Sequence, residues 1–164
     1  INEPGSQNVA IGANAGATNP NSFNSVALGN QAKYTGSHQV RIGNSSIISI
    51  GGFAGWTNAS DKRFKKDINE NVVGLDFILK LRPVTYHLNM DAIASALNTP
   101  EELRMRDAEQ QKSNMLQTGF IAQEVEQTAA KLGYEFSGVD APKNADDYYG
   151  LRYAEFVVPL VKAT

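Results

Sequence analysis

The residues of this chain best suited to chemistry sit in one charged string, Ser60-Asp61-Lys62-Arg63-Phe64-Lys65-Lys66-Asp67-Ile68. A serine hydroxyl is a weak nucleophile until a base takes its proton. Only His38 and His87 offer imidazole, and no motif ties either of them to Ser60. A Ser-His-Asp triad therefore has no support in the spacing. A lysine amine can serve as the base when it is neutral, which requires its pKa to fall by several units. Burial or neighbouring positive charge does this, and Lys62, Arg63 and Lys66 surround Lys65. Taken by itself, the same string reads as a solvated charged turn in a linker.

Spacing constrains what the string can do. Residues i and i+5 lie on opposite faces of a strand and about 140° apart around a helix. Ser60 and Lys65 of one chain can meet only across a turn. Otherwise Ser60 meets the Lys65 of a neighbouring chain, and any joint chemistry depends on assembly.

Little else invites a catalytic reading. Asp146-Asp147-Tyr148-Tyr149 places two carboxylates side by side, but without further ligands such a pair rarely makes a cation or sugar site, so a loop is expected. His87 is expected to pack or hydrogen-bond on a strand. No P-loop, Rossmann or zinc signature is present, and the chain has no cysteine, so disulfides and thiolate metal sites are excluded. No cofactor and no metal are expected. Fifteen basic against seventeen acidic residues give a net charge of −2, which argues against a dedicated nucleic-acid binder. The apolar runs fall far short of the roughly 20 residues a membrane span needs, and no basic start followed by an apolar stretch marks a signal peptide. The chain begins at Ile1 and stops at Thr164 inside an apolar pattern, as expected of a piece of a longer protein.

The elements that must carry the string fall into two regions of different composition. Residues 1–59 hold only Glu3, Lys33 and Arg41 as charges and nine of the fourteen glycines, so a boundary is expected near Ser60. The first region repeats. Asn8-Val9-Ala10-Ile11-Gly12 is echoed by Ser25-Val26-Ala27-Leu28-Gly29 and by Gln39-Val40-Arg41-Ile42-Gly43, at offsets of 17 and then 14 residues. Each unit is a short alternating strand with Val and Ile or Leu on one face, closed by a glycine turn. A unit of this kind cannot bury its apolar face alone, and with so few coils burial between chains is expected. Trp56, in the glycine-rich Gly51-Gly52-Phe53-Ala54-Gly55-Trp56, is expected to cap the stack.

The second region reads as mixed α and β. Val72 to Leu81 has helical spacing, Pro83 ends it, and Val84 to Leu88 reads as a strand. Thr99-Pro100-Glu101-Glu102 reads as a capping box opening a helix over Leu103 to Lys112. That helix is too polar for a core and is expected to project from the body or lean on a neighbouring chain. Thr118 to Ile121 reads as a strand, and Ala122 to Leu132 as a helix stopped by Gly133. Tyr149 to Val161 reads as a strand or turn entering a helix interrupted by Pro159.

Four blocks of this second region resemble a known family. The boundary string, Leu79-Lys80-Leu81-Arg82-Pro83-Val84-Thr85-Tyr86, Gly119-Phe120-Ile121-Ala122-Gln123-Glu124-Val125 and Tyr149-Gly150-Leu151-Arg152-Tyr153-Ala154-Glu155-Phe156 appear in the order found in the intramolecular chaperone domain of phage tailspikes, tail fibres and neck appendages, the S74 self-cleaving peptidases. The upstream repeats are similar to those of trimeric autotransporter adhesin heads and phage fibre stalks. The resemblance implies an α+β homotrimer. Residues 1–59 would end a trimeric β fibre stem of triple β-helix type, and 60–164 would be the chaperone domain with a projecting helix and a C-terminal helix. It implies that the domain trimerises, helps the fibre fold and is released by self-cleavage, as an autocatalytic serine endopeptidase acting once. In that family a serine and a lysine five positions later form the dyad, and Ser60 and Lys65 match both, with Asp61 and Arg63 in support. The implied partners are further copies of the chain and its own upstream segment, with no nucleic acid and no membrane. The fibre part would lie in the virion tail, and the released part in the host cytoplasm. Two alternatives remain at this point: a non-cleaving trimer clamp with a receptor-binding fibre tip, and a cellular protein that borrowed the module, of the myelin regulatory factor type.

Overall fold

The computed structural model describes residues 5–164. The regular elements in chain order are β1 (Val9–Ile11), β2 (Gly16–Ala17), β3 (Val26–Leu28), β4 (Lys33–Tyr34), β5 (Val40–Ile42), α1 (Leu75–Ile78), β6 (Val84–Tyr86), α2 (Met90–Ala96), α3 (Arg106–Ser113), β7 (Gln117–Gly119), α4 (Ala122–Lys131), β8 (Val139–Asp140), β9 (Gly150–Leu151) and α5 (Val157–Ala163), with 3₁₀ turns at Lys62–Phe64, Glu101–Leu103 and Tyr153–Phe156. This is a mixed fold of helices and short strands. Two compact units interleave along the chain: Ile1–Ile50 with Thr85–Gly119 and Ala141–Tyr148, and Gly51–Val84 with Phe120–Asp140 and Tyr149–Thr164. Spatial grouping thus does not follow the compositional boundary at Ser60.

In the first unit the repeats become a parallel sheet in the order β1-β3-β5. The sequence offsets reappear as register, with Val9 opposite Val26 opposite Val40 and Ile11 opposite Leu28 opposite Ile42. Each repeat ends in a glycine at positive φ, and a Cβ on Gly12 would stand 2.5 Å from the carbonyl carbon of Gly29. The coils stack too closely there for any side chain. Asn8 bridges two coils, donating to Ser22 O at 2.8 Å and accepting from Ser25 N–H at 3.0 Å. The side of the sheet that packs inward carries the small residues. Ala27 is fully buried with Ala32 and Tyr34, while Val9, Ile11, Val40 and Ile42 are all at least 41% exposed.

The same unit holds the polar helix. Its expected capping box does not form. Pro100 precedes a 3₁₀ turn without a side-chain cap, Arg104 is extended, and α3 begins only at Arg106. The turn uses up the residues the box needed. Nor does the helix project. It packs on α2, a helix opened by Asn89, whose side-chain oxygen accepts from Ala92 N–H at 3.0 Å. Arg104 and Glu109 pair at 2.6 Å with only 8% of each side chain exposed, and Arg104 also reaches Asp91. Glu109 is the buried residue of α3, and pairing with Arg104 is what lets that carboxylate leave water. The hydrogen bonds that the Arg104 guanidinium donates to Glu109 outweigh burial and raise the Arg104 pKa.

The second unit has an aromatic core. Phe77 is fully buried, packed with Val125, Ala129 and Phe156. Tyr134 and Phe136 meet Phe77 at ring distances of 5.3 and 4.9 Å, and Phe120 stacks on Phe156 at 5.3 Å. Helix α1 is shorter than the periodicity over Val72 to Leu81 suggests. Gly74 stands in a non-helical conformation before it, and a Cβ there would come within 2.8 Å of the Lys162 backbone. Helix α4 ends at Lys131, with Leu132 as its cap and Gly133 next at φ +61°, the stop that the sequence predicts. Pro159 does not interrupt the last helix. It lies in the first turn of α5, where its missing N–H has no intrahelical partner to lose. Trp56, expected to cap the repeat stack, is 88% exposed.

Candidate functional site

Ser60 follows a stretch, residues 51–59, that has no regular structure and is exposed throughout. The chain then bends. Asp61 caps the 3₁₀ turn Lys62–Phe64, its Oδ1 accepting the Arg63 N–H at 2.8 Å, and Lys65 N–H donates to Lys62 O at 3.1 Å. The bend returns the Lys65 side chain to the serine, where Nζ donates to Ser60 Oγ at 2.7 Å. Of the two arrangements the spacing allows, a single chain adopts the one across a turn.

The supporting residues pair with each other. The Arg63 guanidinium donates to both Asp61 oxygens, at 2.8 to 3.1 Å. The Arg63 side chain, and after it the Arg63 N–H, hold the Asp61 carboxyl below the usual carboxylate range, and the same pairing raises Arg63. Arg63 lies over the Phe64 ring at 5.8 Å. Ser60, Lys62, Lys65 and Lys66 are exposed, and beside them Phe64 and Ile68 show 76% and 67% of their surface. Chemically this is a hydroxyl in hydrogen-bond contact with an amine, on an open surface flanked by uncovered apolar residues. A neutral amine at this distance is placed to take the hydroxyl proton.

That geometry begins at the residue where a family model begins. Residues 60–134 match the Peptidase S74 family, the chaperone of endosialidase. The Peptidase S74 match takes in three of the four blocks of resemblance, and the fourth, Tyr149 to Phe156, lies beyond it. No curated protein and no solved structure matches the chain. Within the matched segment, Arg82 from the second block donates its Nε to Glu124 of the third at 2.9 Å, and this contact holds the Glu124 carboxyl low and Arg82 high.

The histidines have other company. His38 meets the Phe23 ring edge-on at 4.9 Å and Asn24 at 2.8 Å, and His87 is exposed just past β6. The Asp146-Asp147 segment is a loop, but one with a structural task that sequence reading missed. Asp147 accepts from Thr35 Oγ1 at 2.6 Å, from Gln39 Nε2 at 3.4 Å, and from the N–H groups of Tyr148 and Lys143. Burial pushes its pKa up, and these hydrogen bonds together bring it below the usual value. Asn144 adds a bond to Thr35 O at 3.0 Å. A short Asn-x-Asp-Asp run is the only local hint of this, since both partners lie more than a hundred residues upstream. Among the described residues no three His, Asp or Glu side chains gather as a metal site, and no helix is long and apolar enough to cross a membrane.

Proposed function

We propose that the chain is the end of a homotrimeric phage fibre joined to its intramolecular chaperone, and that the chaperone is released by self-cleavage beside Ser60. The observation that carries this reading is the 2.7 Å contact of Lys65 Nζ with Ser60 Oγ at the first residue of the Peptidase S74 match. Lys65, when neutral, takes the hydroxyl proton. Ser60 Oγ then adds to the adjoining peptide carbonyl, the amide C–N bond breaks, and the proton passes to the leaving amine. Water hydrolyses the resulting ester.

The exposed surfaces support assembly as copies of one chain. Val9, Ile11, Val40 and Ile42 form an apolar face on the repeat sheet that its own unit leaves uncovered. Burying such a face between chains is favourable at about 25 cal/mol per Å². The chaperone would raise the local concentration of the fibre segments and supply the nucleus for slow non-local pairing. Cutting at Ser60 would then remove the route back and leave a kinetically stable fibre in the virion tail, with the chaperone left in the host cytoplasm.

Intact-mass measurement on the purified chain tests this. The expected result is two fragments divided beside Ser60, and a single intact chain for Ser60→Ala and for Lys65→Arg, because arginine keeps its proton. Normal cutting by Lys65→Arg removes Lys65 as the base. An unmodified chain that stays whole favours the alternative, a permanent trimer clamp, whose supporting observation is the open exposure of both Ser60 and Lys65. Sedimentation as a monomer at micromolar concentration sinks both readings.

A further inference from the structure

Lys65 reaches Ser60 because residues 61–65 double back. The 3₁₀ turn Lys62–Phe64 contains no buried residue. Phe64, its one large apolar side chain, is 76% exposed, so packing does not fix the turn. Short 3₁₀ turns have poor hydrogen-bond geometry and little stability of their own. An extended path through the same residues would put positions 60 and 65 on opposite faces. The contacts that favour the bend are two backbone bonds, Phe64 N–H to Asp61 O at 3.0 Å and Lys65 N–H to Lys62 O at 3.1 Å, the Asp61 carboxylate cap on Arg63 N–H at 2.8 Å, and the guanidinium held by the same carboxylate.

We infer that Asp61 is a positioning residue, whose carboxylate, as the cap of this turn, holds the Lys65 amine on Ser60 Oγ. The inference rests on reading Ser60 and Lys65 as a working pair. Asp61 touches neither partner's reacting atom and acts through the fold of the turn. The Arg63 guanidinium engages the same carboxylate and is secondary, because it is 81% exposed.

The chain has no cysteine, so Ser60→Cys places a single thiol at the site. Its pKa can be read from the pH dependence of alkylation by iodoacetamide. A nearby ammonium lowers a thiol pKa and a nearby carboxylate raises it. The thiol of the Ser60→Cys protein should titrate below the ordinary value of about 8.5. Adding Lys65→Met should raise it. Adding Asp61→Ala should raise it too, by about half a unit or more, although a negative charge has been removed. Adding Asp61→Asn, which keeps an oxygen to accept the Arg63 N–H, should not raise it.

The sign decides between roles. If Asp61 were only a neighbouring anion, Asp61→Ala would lower the thiol pKa. A value that falls or stays put with Asp61→Ala, but rises with Lys65→Met, overturns the positioning role and leaves the pair standing. A value unmoved by Lys65→Met overturns the pair, and the positioning role with it. In the protein that retains Ser60, Asp61→Ala should slow self-cleavage by about tenfold or more, with the midpoint of its pH profile and its circular dichroism unchanged. Cleavage at the unmodified rate overturns the inference.

Discussion

Ala27 and Phe77 are both fully buried, yet they sit at the centres of differently built units. Around Ala27 the packed side chains are alanines and one tyrosine, Tyr34, and the sheet turns Val9, Ile11, Val40 and Ile42 away from that centre. Around Phe77 the large aromatics point inward, as in an ordinary self-sufficient core. Small residues inside and β-branched residues outside reverse the pattern expected of a sheet with one solvated face. The first unit holds its coils together with close glycine stacking and asparagine hydrogen bonds, and Val9, Ile11, Val40 and Ile42 stay exposed. The comparison teaches that exposure has a different meaning in the two units. On the repeat sheet it is a regular face in register over three strands. On the 60–68 segment it is the setting of a hydroxyl and an amine.

Four substitutions would break or sharpen the comparison. The largest effect is expected in the aromatic core, where Phe77→Ala should cost about 3–5 kcal/mol in denaturant unfolding. A loss near zero would mean that the second unit does not depend on this core. In the repeats, Gly12→Ala should cost about 1–3 kcal/mol, since it combines a φ of +122° with a Cβ 2.5 Å from the Gly29 carbonyl carbon. Thermal unfolding measures it, and an unchanged midpoint would show that the coils are not closely stacked at this turn.

Asp147→Asn should cost about 1 kcal/mol at neutral pH, through the hydrogen bonds to Thr35 and Gln39. Its pH dependence has a definite sign. The folded-state pKa lies below the usual carboxylate value, so the contribution is complete above that usual value and is lost as pH falls through the lower folded one. The asparagine variant should therefore lose less stability than the unmodified protein between neutral and strongly acidic pH, and parallel acid curves would count against this role. The smallest effect on a single chain is expected from Ile11→Ser, at most about 0.5 kcal/mol, because Ile11 is 62% exposed. The same substitution should weaken self-association in sedimentation. If it destabilises the isolated unit instead, the outward face is part of the unit's own core.

What the sequence by itself determined is whatever depends on near neighbours or on repetition. The offsets between Val9, Val26 and Val40 state the register of the parallel sheet, because identical units stack with identical residues opposed. Helix α4 and its Gly133 stop follow from helical spacing and one residue that accepts positive φ. The boundary string names its own chemistry and limits Ser60 and Lys65 to two ways of meeting. Tertiary structure decided the rest, because it depended on partners that local pattern does not name. Glu109 reads as a solvated carboxylate on a polar helix until it is seen buried against Arg104. Pro159 reads as a break until α5 is seen to begin just before it. Asp147 reads as a loop carboxylate until Thr35 arrives from 112 positions away. Charge and hydrogen-bond capacity are written in the residue types, but whether they are satisfied is a property of the folded chain.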